Sequence, residues 1–178
     1  MMHKLMKYLD NKIGFEEARA HCDIPCGIYD PITAEIAALT VIRMMDLMKA
    51  QEEKGGNMDL GYFNTMSRYI AAKEEHAEKV KSEIRIIWGD YLKPEHARKF
   101  PELHNLVHEI MKLGSAVRQG VDMESAESLL EHVNRFSEIF WETKGIKTWR
   151  VMSPYQPERI MVQPDLPSMG KEALKKAS

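Results

Sequence analysis

His21, Cys22 and Cys26 stand in the stretch HCDIPCG, and its two cysteines are the only ones in the chain. A histidine beside one thiol, with a second thiol four residues on, suits metal binding or redox work. Several chemistries compete for it. The thiols can be inert small apolar residues, or they can close a disulfide across a tight loop. Zinc wants four ligands, and one Cys-x3-Cys pair with His21 leaves that set short. The remaining reading uses the residues ahead of the motif. If the chain is cut between Ala20 and His21, the His21 α-amine and imidazole both become free to bind a metal. The Cys22 amide and thiolate follow one residue on, and the Cys26 thiolate folds back through the turn Asp23-Ile24-Pro25. Amine, amide and two sulfurs make a flat four-donor set with imidazole available above it. Tetragonal nitrogen and sulfur ligation favours nickel or copper over zinc. Residues 1–20 then read as a leader that masks the amine until it is removed.

Other chemistries find no support. No glutamate is followed by histidine three residues later, which a di-iron helical site requires. There is no phosphate-binding loop, dinucleotide fingerprint or nucleophile elbow. His104 and His108 share a helix face but lie off its apolar seam, as a solvated flank. A formal net charge of −2, spread along the chain, leaves no basic stripe for nucleic acid. No apolar run is long enough to cross a membrane. The leader lacks an apolar core of secretory length and carries Asp10, Glu16 and Glu17, so a cytoplasmic location is expected.

The elements that position the motif follow from caps and spacing. Asp30-Pro31 predicts a helix start, with apolar Ile36, Leu39, Ile42 and Met45 in the turns that follow and Gly55-Gly56 ending them. A second helix is expected from Asp59, with Ala77, Val80, Ile84 and Ile87 at 3-4-3 spacing, ending in WGDYLKP. A third enters through Pro101 and repeats the pattern at Leu103, Leu106, Ile110, Leu113 and Val117. A fourth, capped by Asp122, aligns Ala126, Leu129, Val133, Phe136 and Phe140 and ends at Gly145. The expected fold is all-α, an antiparallel four-helix bundle over residues 31–145 behind an N-terminal hook at 21–30. Trp88, Phe140 and Trp141 are expected to fill it. No strand-like alternation of any length is read along the chain, and residues 146–178 hold Pro154, Pro157, Pro164 and Pro167. These last residues are expected to run extended, lying on the bundle or on a neighbouring subunit.

The stretch HCDIPCGIYDP resembles the hook of nickel superoxide dismutases, whose pattern is H-C-x-x-P-C-G-x-Y. The likeness continues through SEIRIIWGDYLKPEHARKFPELHNLV and SEIFWETK, covering residues 21–144. It implies a precursor cut immediately before His21 by a dedicated peptidase, and one nickel ion per subunit. His21 would supply the amine and an axial imidazole, Cys22 its amide and thiolate, and Cys26 its thiolate. Nickel would cycle between two and three plus, turning superoxide into dioxygen and hydrogen peroxide. Tyr29 would line the substrate approach and order water, while Asp23 and Pro25 shape the loop around a cis prolyl bond. The family assembles as hexamers of four-helix bundles, with each hook packed against neighbouring subunits.

Lys93 matches a family lysine near the hook and could steer the anion, and Tyr91 could help to order water and relay protons. Each also has a plainer role, as a solvated lysine and a packed tyrosine. The sequence departs from the common family pattern at the residues that brace the axial imidazole. A Glu and an Arg are usual there, and this chain has Ala37 and His76, as in a branch carrying the same exchanges. His76 is the candidate replacement brace. Two non-enzymatic readings remain at this level: a nickel- or copper-binding helical bundle without catalysis, and a structural bundle whose hook is a disulfide loop.

Overall fold

The computed structural model describes residues 27–167. Its elements are α1 (Ile32–Glu53), α2 (Leu60–Ile86) running into a π-helical turn (Ile87–Tyr91), a short α3 (Pro94–Lys99), α4 (Leu103–Gln119), α5 (Met123–Thr143), and strands β1 (Thr148–Met152) and β2 (Ile160–Pro164). The described protein is mostly helical.

Side-chain caps begin α2 and α5 where the sequence places them, and Asp30 stands just ahead of α1. Asp30 Oδ1 accepts the Ile32 amide hydrogen at 2.9 Å as the chain turns through Pro31 into α1. Asp59 Oδ1 accepts from the Tyr62 amide at 2.8 Å, and the Asp122 carboxylate accepts from the Glu124 and Ser125 amides. Gly145 ends the run after α5 with φ of 70°, a left-handed conformation that glycine adopts without a Cβ clash.

Each long helix packs against two others, in the order α1–α2–α4–α5 and back to α1. The core between them is the set the periodicity selects. Leu39, Ile42 and Met45 meet Ala77, Val80, Ile84 and Ile87, with Leu103, Ile110, Val117, Leu129, Val133, Phe136 and Phe140. Burying side chains of this size stabilises by about 1.5–3 kcal/mol each. On α1 the sequence reading needs correction at Ile36, which is 46 % exposed. Ala34, Ala37, Ala38 and Val41 form the buried stripe there, so small residues let neighbouring elements approach α1 closely.

Lys73 is a buried lysine on α2. Its ammonium donates to the carbonyls of Val117, Arg118 and Gly120, the end of α4. A helix C-terminus leaves carbonyls without intrahelical donors and carries partial negative charge, so one cation from the neighbouring helix answers both. Burial lowers the Lys73 pKa from its ordinary value.

The segment after Gly145 is non-helical, as expected, but it forms a β-hairpin rather than a single extended run. β1 pairs antiparallel with β2, in the register Thr148↔Pro164, Arg150↔Val162 and Met152↔Ile160. Thr148, Trp149 and Val151 on one strand and Ile160 and Val162 on the other are strand-forming residues, Val151 pairing with Met161 and Met152 with Ile160, and Pro154 and Pro157 fall in the connection. The hairpin lies on the helical body. Met161 and Val162 are buried, Asn134 Nδ2 donates to the Ile160 carbonyl at 2.9 Å, and Arg150 forms a two-pronged ion pair with Glu131. Arg150 also reaches Glu138, and Arg159 pairs with Glu127.

Beneath the hairpin sits Glu35, 1 % exposed, with Oε2 accepting the Val162 amide hydrogen at 3.0 Å. Burial pushes its pKa up to about 7, helped by the charges of Asp30 and Glu138 and opposed by Ser137 and the Val162 amide.

Candidate metal centre

The expected donors His21, Cys22 and Cys26, and the loop residues Asp23 and Pro25, lie outside the described residues. Their donor chemistry is what can be tested against a metal. Two thiolates with amine, amide and imidazole nitrogens are soft, strongly donating ligands that fit nickel. Among the described residues, no group of three or more His, Cys, Asp or Glu is placed to hold a metal ion.

The structure does show where the chain leaving the motif is seated. Tyr29 is half-buried, and its ring lies 5.6 Å from that of Tyr91, tilted by 44°. Tyr91 ends the π-helical turn, in which the Leu92 amide reaches back five residues to the Ile87 carbonyl at 3.1 Å. Tyr91 is held on every side. Its hydroxyl is 2.7 Å from Thr143 Oγ1, and the Thr143 hydroxyl donates to the Phe140 carbonyl at 2.6 Å. Thr143 has one hydrogen and spends it on that carbonyl, so Tyr91 is the donor between the two. The Tyr91 ring also packs on Phe140 at 4.9 Å and stacks on His96 at 5.8 Å and 21°. The Lys144 ammonium sits 4.6 Å above it. Tyr91 is thus a packed ring whose hydroxyl has a partner in Thr143.

Lys93 is exposed and lies two residues beyond Tyr91, at the N-terminus of α3. Its backbone is tied to His96: the Lys93 amide donates to His96 Nδ1 at 3.1 Å, and the His96 amide donates to the Lys93 carbonyl at 2.9 Å. Tyr29, Tyr91 and, through His96, the Lys93 backbone thus form one connected cluster, with the Lys144 ammonium against the Tyr91 ring.

His76 is half-buried on α2 and is held by its own helix. Its Nδ1 lies 2.8 Å from the Ala72 carbonyl. A carbonyl only accepts, so Nδ1 carries the proton and the neutral ring keeps its lone pair on Nε2. Ala37 is buried in the α1 stripe.

Trp88 corrects a sequence expectation, being 39 % exposed while Phe140 and Trp141 are buried. Its indole N–H donates to His104 Nδ1 at 3.1 Å, at the edge of a groove of about 450 Å³ lined also by Lys93, Arg98 and Leu103. His104 and His108 are exposed, as expected of a solvated flank.

Sequence reasoning missed His96, Thr143 and Lys144. For His96 a signal existed. In KPEH, proline at the first helical position makes histidine the third, where a capping box places an acceptor for the cap residue's amide. Nothing local marks Thr143 or Lys144.

Comparison with known proteins bears on the whole arrangement. Residues 16–144 match the family model for nickel-containing superoxide dismutase. The chain is 41 % identical over 125 residues to a nickel superoxide dismutase of Streptomyces coelicolor, covering 70 % of this chain and 88 % of that protein. A second, from Streptomyces seoulensis, is 39 % identical with the same coverage. Among solved structures, a native nickel superoxide dismutase matches with a TM-score of 0.60 and 37 % identity, over 70 % of this chain and 99 % of that one. Another, whose nickel ligation corresponds to the oxidised state, matches at 0.61 and 38 %, with the same coverage. The family match ends before the hairpin and takes in the motif at His21 together with Tyr29, Tyr91 and Lys93, and the chain belongs to the nickel-containing superoxide dismutase family.

Proposed function

We propose that this protein is a nickel superoxide dismutase that matures by cleavage between Ala20 and His21. The observation that carries the reading is the family match over residues 16–144, which spans the complete donor motif and its Tyr29 neighbour. His21, Cys22 and Cys26 would hold one nickel ion. Nickel there supplies a couple between two and three plus, by which one superoxide is oxidised to dioxygen and a second, with two protons, is reduced to hydrogen peroxide.

The chain's own residues do the rest. Superoxide is a small anion and its dismutation needs little binding, so approach and charge dominate the rate. Lys144, against the Tyr91 ring, and exposed Lys93, two residues beyond Tyr91, supply the cations that raise the local concentration of anions. Tyr29, leaning on Tyr91, lines the approach and limits what reaches the thiolates, which peroxide would otherwise oxidise. Asp23 and Pro25 shape the loop. His76, with Nε2 free of its helix bond, is the proposed brace of the His21 imidazole.

The reading extends to assembly and setting. Four long helices packed in a ring, with short links between α1 and α2 and between α4 and α5, support an antiparallel four-helix bundle. A homohexamer in the cytoplasm, processed by a dedicated peptidase, is part of the same proposal. No helix among the described residues is long and apolar enough to cross a membrane.

The test compares protein beginning at His21, loaded with one equivalent of nickel, with the uncut 178-residue chain treated identically. Rapid superoxide consumption by the trimmed protein alone is expected. Nickel binding without turnover in both would overturn the enzyme reading.

A further inference from the structure

His96 belongs to no expected site residue, yet it touches both halves of the cluster. Its Nδ1 accepts the Lys93 amide hydrogen at 3.1 Å, and its own amide donates to the Lys93 carbonyl at 2.9 Å. This reciprocal pair closes around Lys93 at φ −110° and ψ 166°, fixing the direction in which the lysine leaves the backbone. The same ring stacks on Tyr91, and Tyr91 is the ring Tyr29 leans against.

We propose that His96 is a positioning residue for superoxide approach, setting Lys93 and the Tyr29–Tyr91 pair with one imidazole. The proposal rests on the reading of Lys93 as a steering cation. Residue chemistry explains why histidine stands there. Glutamine supplies the acceptor without an aromatic face. Glutamate supplies it with a negative charge beside Lys93, which would repel the anion. Phenylalanine supplies the face without the acceptor. A neutral imidazole with Nδ1 accepting provides face and acceptor together and adds no negative charge.

Three variants test this: His96→Phe, His96→Gln and Lys93→Gln. The first readout needs no metal: hydrogen exchange of the Lys93 amide in the nickel-free chain. His96→Phe removes its protection, and His96→Gln restores it. The second is the rate constant for superoxide consumption by the trimmed, nickel-loaded protein as ionic strength rises. His96→Phe lowers the low-salt rate by roughly threefold to tenfold and flattens the salt dependence, as Lys93→Gln does, because steering is lost. His96→Gln recovers most of the slope. A His96→Phe protein with protected Lys93, or with the wild-type slope while Lys93→Gln is flat, overturns the proposal. A Lys93→Gln protein with the wild-type slope removes the steering role of Lys93 and, with it, the functional role of His96. That failure differs from failure of the enzyme reading, in which the trimmed wild-type protein has no turnover at all.

Discussion

Glu35 Oε2 accepts the amide hydrogen of Val162 at 3.0 Å, joining α1 to β2 across 127 residues of chain. The carboxyl is shut off from water by the hairpin that it helps to hold. Burial therefore does two things at once: it docks the hairpin and favours the neutral acid.

The sign of the resulting pH dependence follows directly. Glu35 has a pKa of about 7 when folded against an ordinary 4.5, so folding favours its protonated form. The contribution is complete below the unfolded value and is lost as pH rises through 7, a swing of about 3 kcal/mol. Glu35→Gln keeps an acceptor for Val162 and cannot ionise. Urea unfolding of both proteins at pH 5 and pH 8 is expected to show the variant gaining on wild type at the higher pH. Parallel stabilities at the two values would contradict the buried-acid assignment.

Ending the chain at Gly145 removes the hairpin and leaves the family-matched residues intact. Met161 and Val162 are both buried, and losing their burial costs about 3–6 kcal/mol. Glu35 then meets water and ionises at ordinary cost, which returns part of that loss. Stability is expected to fall while the trimmed, nickel-loaded protein keeps its turnover, because Tyr29, Tyr91 and Lys93 stand on other elements. Calorimetry beside a superoxide assay checks both halves. A truncated protein of unchanged stability would mean that the hairpin contacts contribute nothing net.

Lys73→Met keeps the aliphatic stem and removes the ammonium that serves the Val117, Arg118 and Gly120 carbonyls. One buried and two part-buried acceptors then lose their shared donor, at a cost of about 2–4 kcal/mol. The fraying is expected at the end of α4, so backbone amides there should exchange faster, ahead of global unfolding. Uniform protection along α4 would show that the cap is dispensable.

The helices were legible because their signals are local. Asp59 and Asp122 cap where they stand, and the seams on α2, α4 and α5 repeat at helical spacing. Ile36 misled because α1 is apolar on more than one side, and three alanines, Ala34, Ala37 and Ala38, take the buried positions around it, where they carry little periodic contrast. The hairpin was hidden for a different reason. Met161 and Val162 are adjacent and both buried, which breaks the alternation that marks a strand, and their burial depends on Glu35 and Asn134 far away in sequence. The proposed donor motif is read from residue types at most five positions apart, His21, Cys22 and Cys26, and it lies outside the described residues. The seating of Tyr29 was not legible, because Tyr91, His96 and Lys144 meet only once α3 and α5 have packed.

The last prediction separates the donors from the residue that screens them. Cys22→Ser and Cys26→Ser each replace a soft thiolate with a hydroxyl that stays protonated and binds nickel poorly, so neither variant should turn over superoxide. Tyr29→Phe keeps the ring that leans on Tyr91 and removes only the hydroxyl, whose interactions are worth about 0.5–1.5 kcal/mol. Its rate should stay within roughly tenfold of wild type, since 1.4 kcal/mol is one decade. Stopped-flow superoxide decay, normalised to bound nickel, reads all three variants. If Tyr29→Phe is as dead as the cysteine variants while its nickel content is normal, Tyr29 takes part in the chemistry itself rather than lining the approach. If either serine variant keeps wild-type turnover, the thiolate it lost was not a ligand.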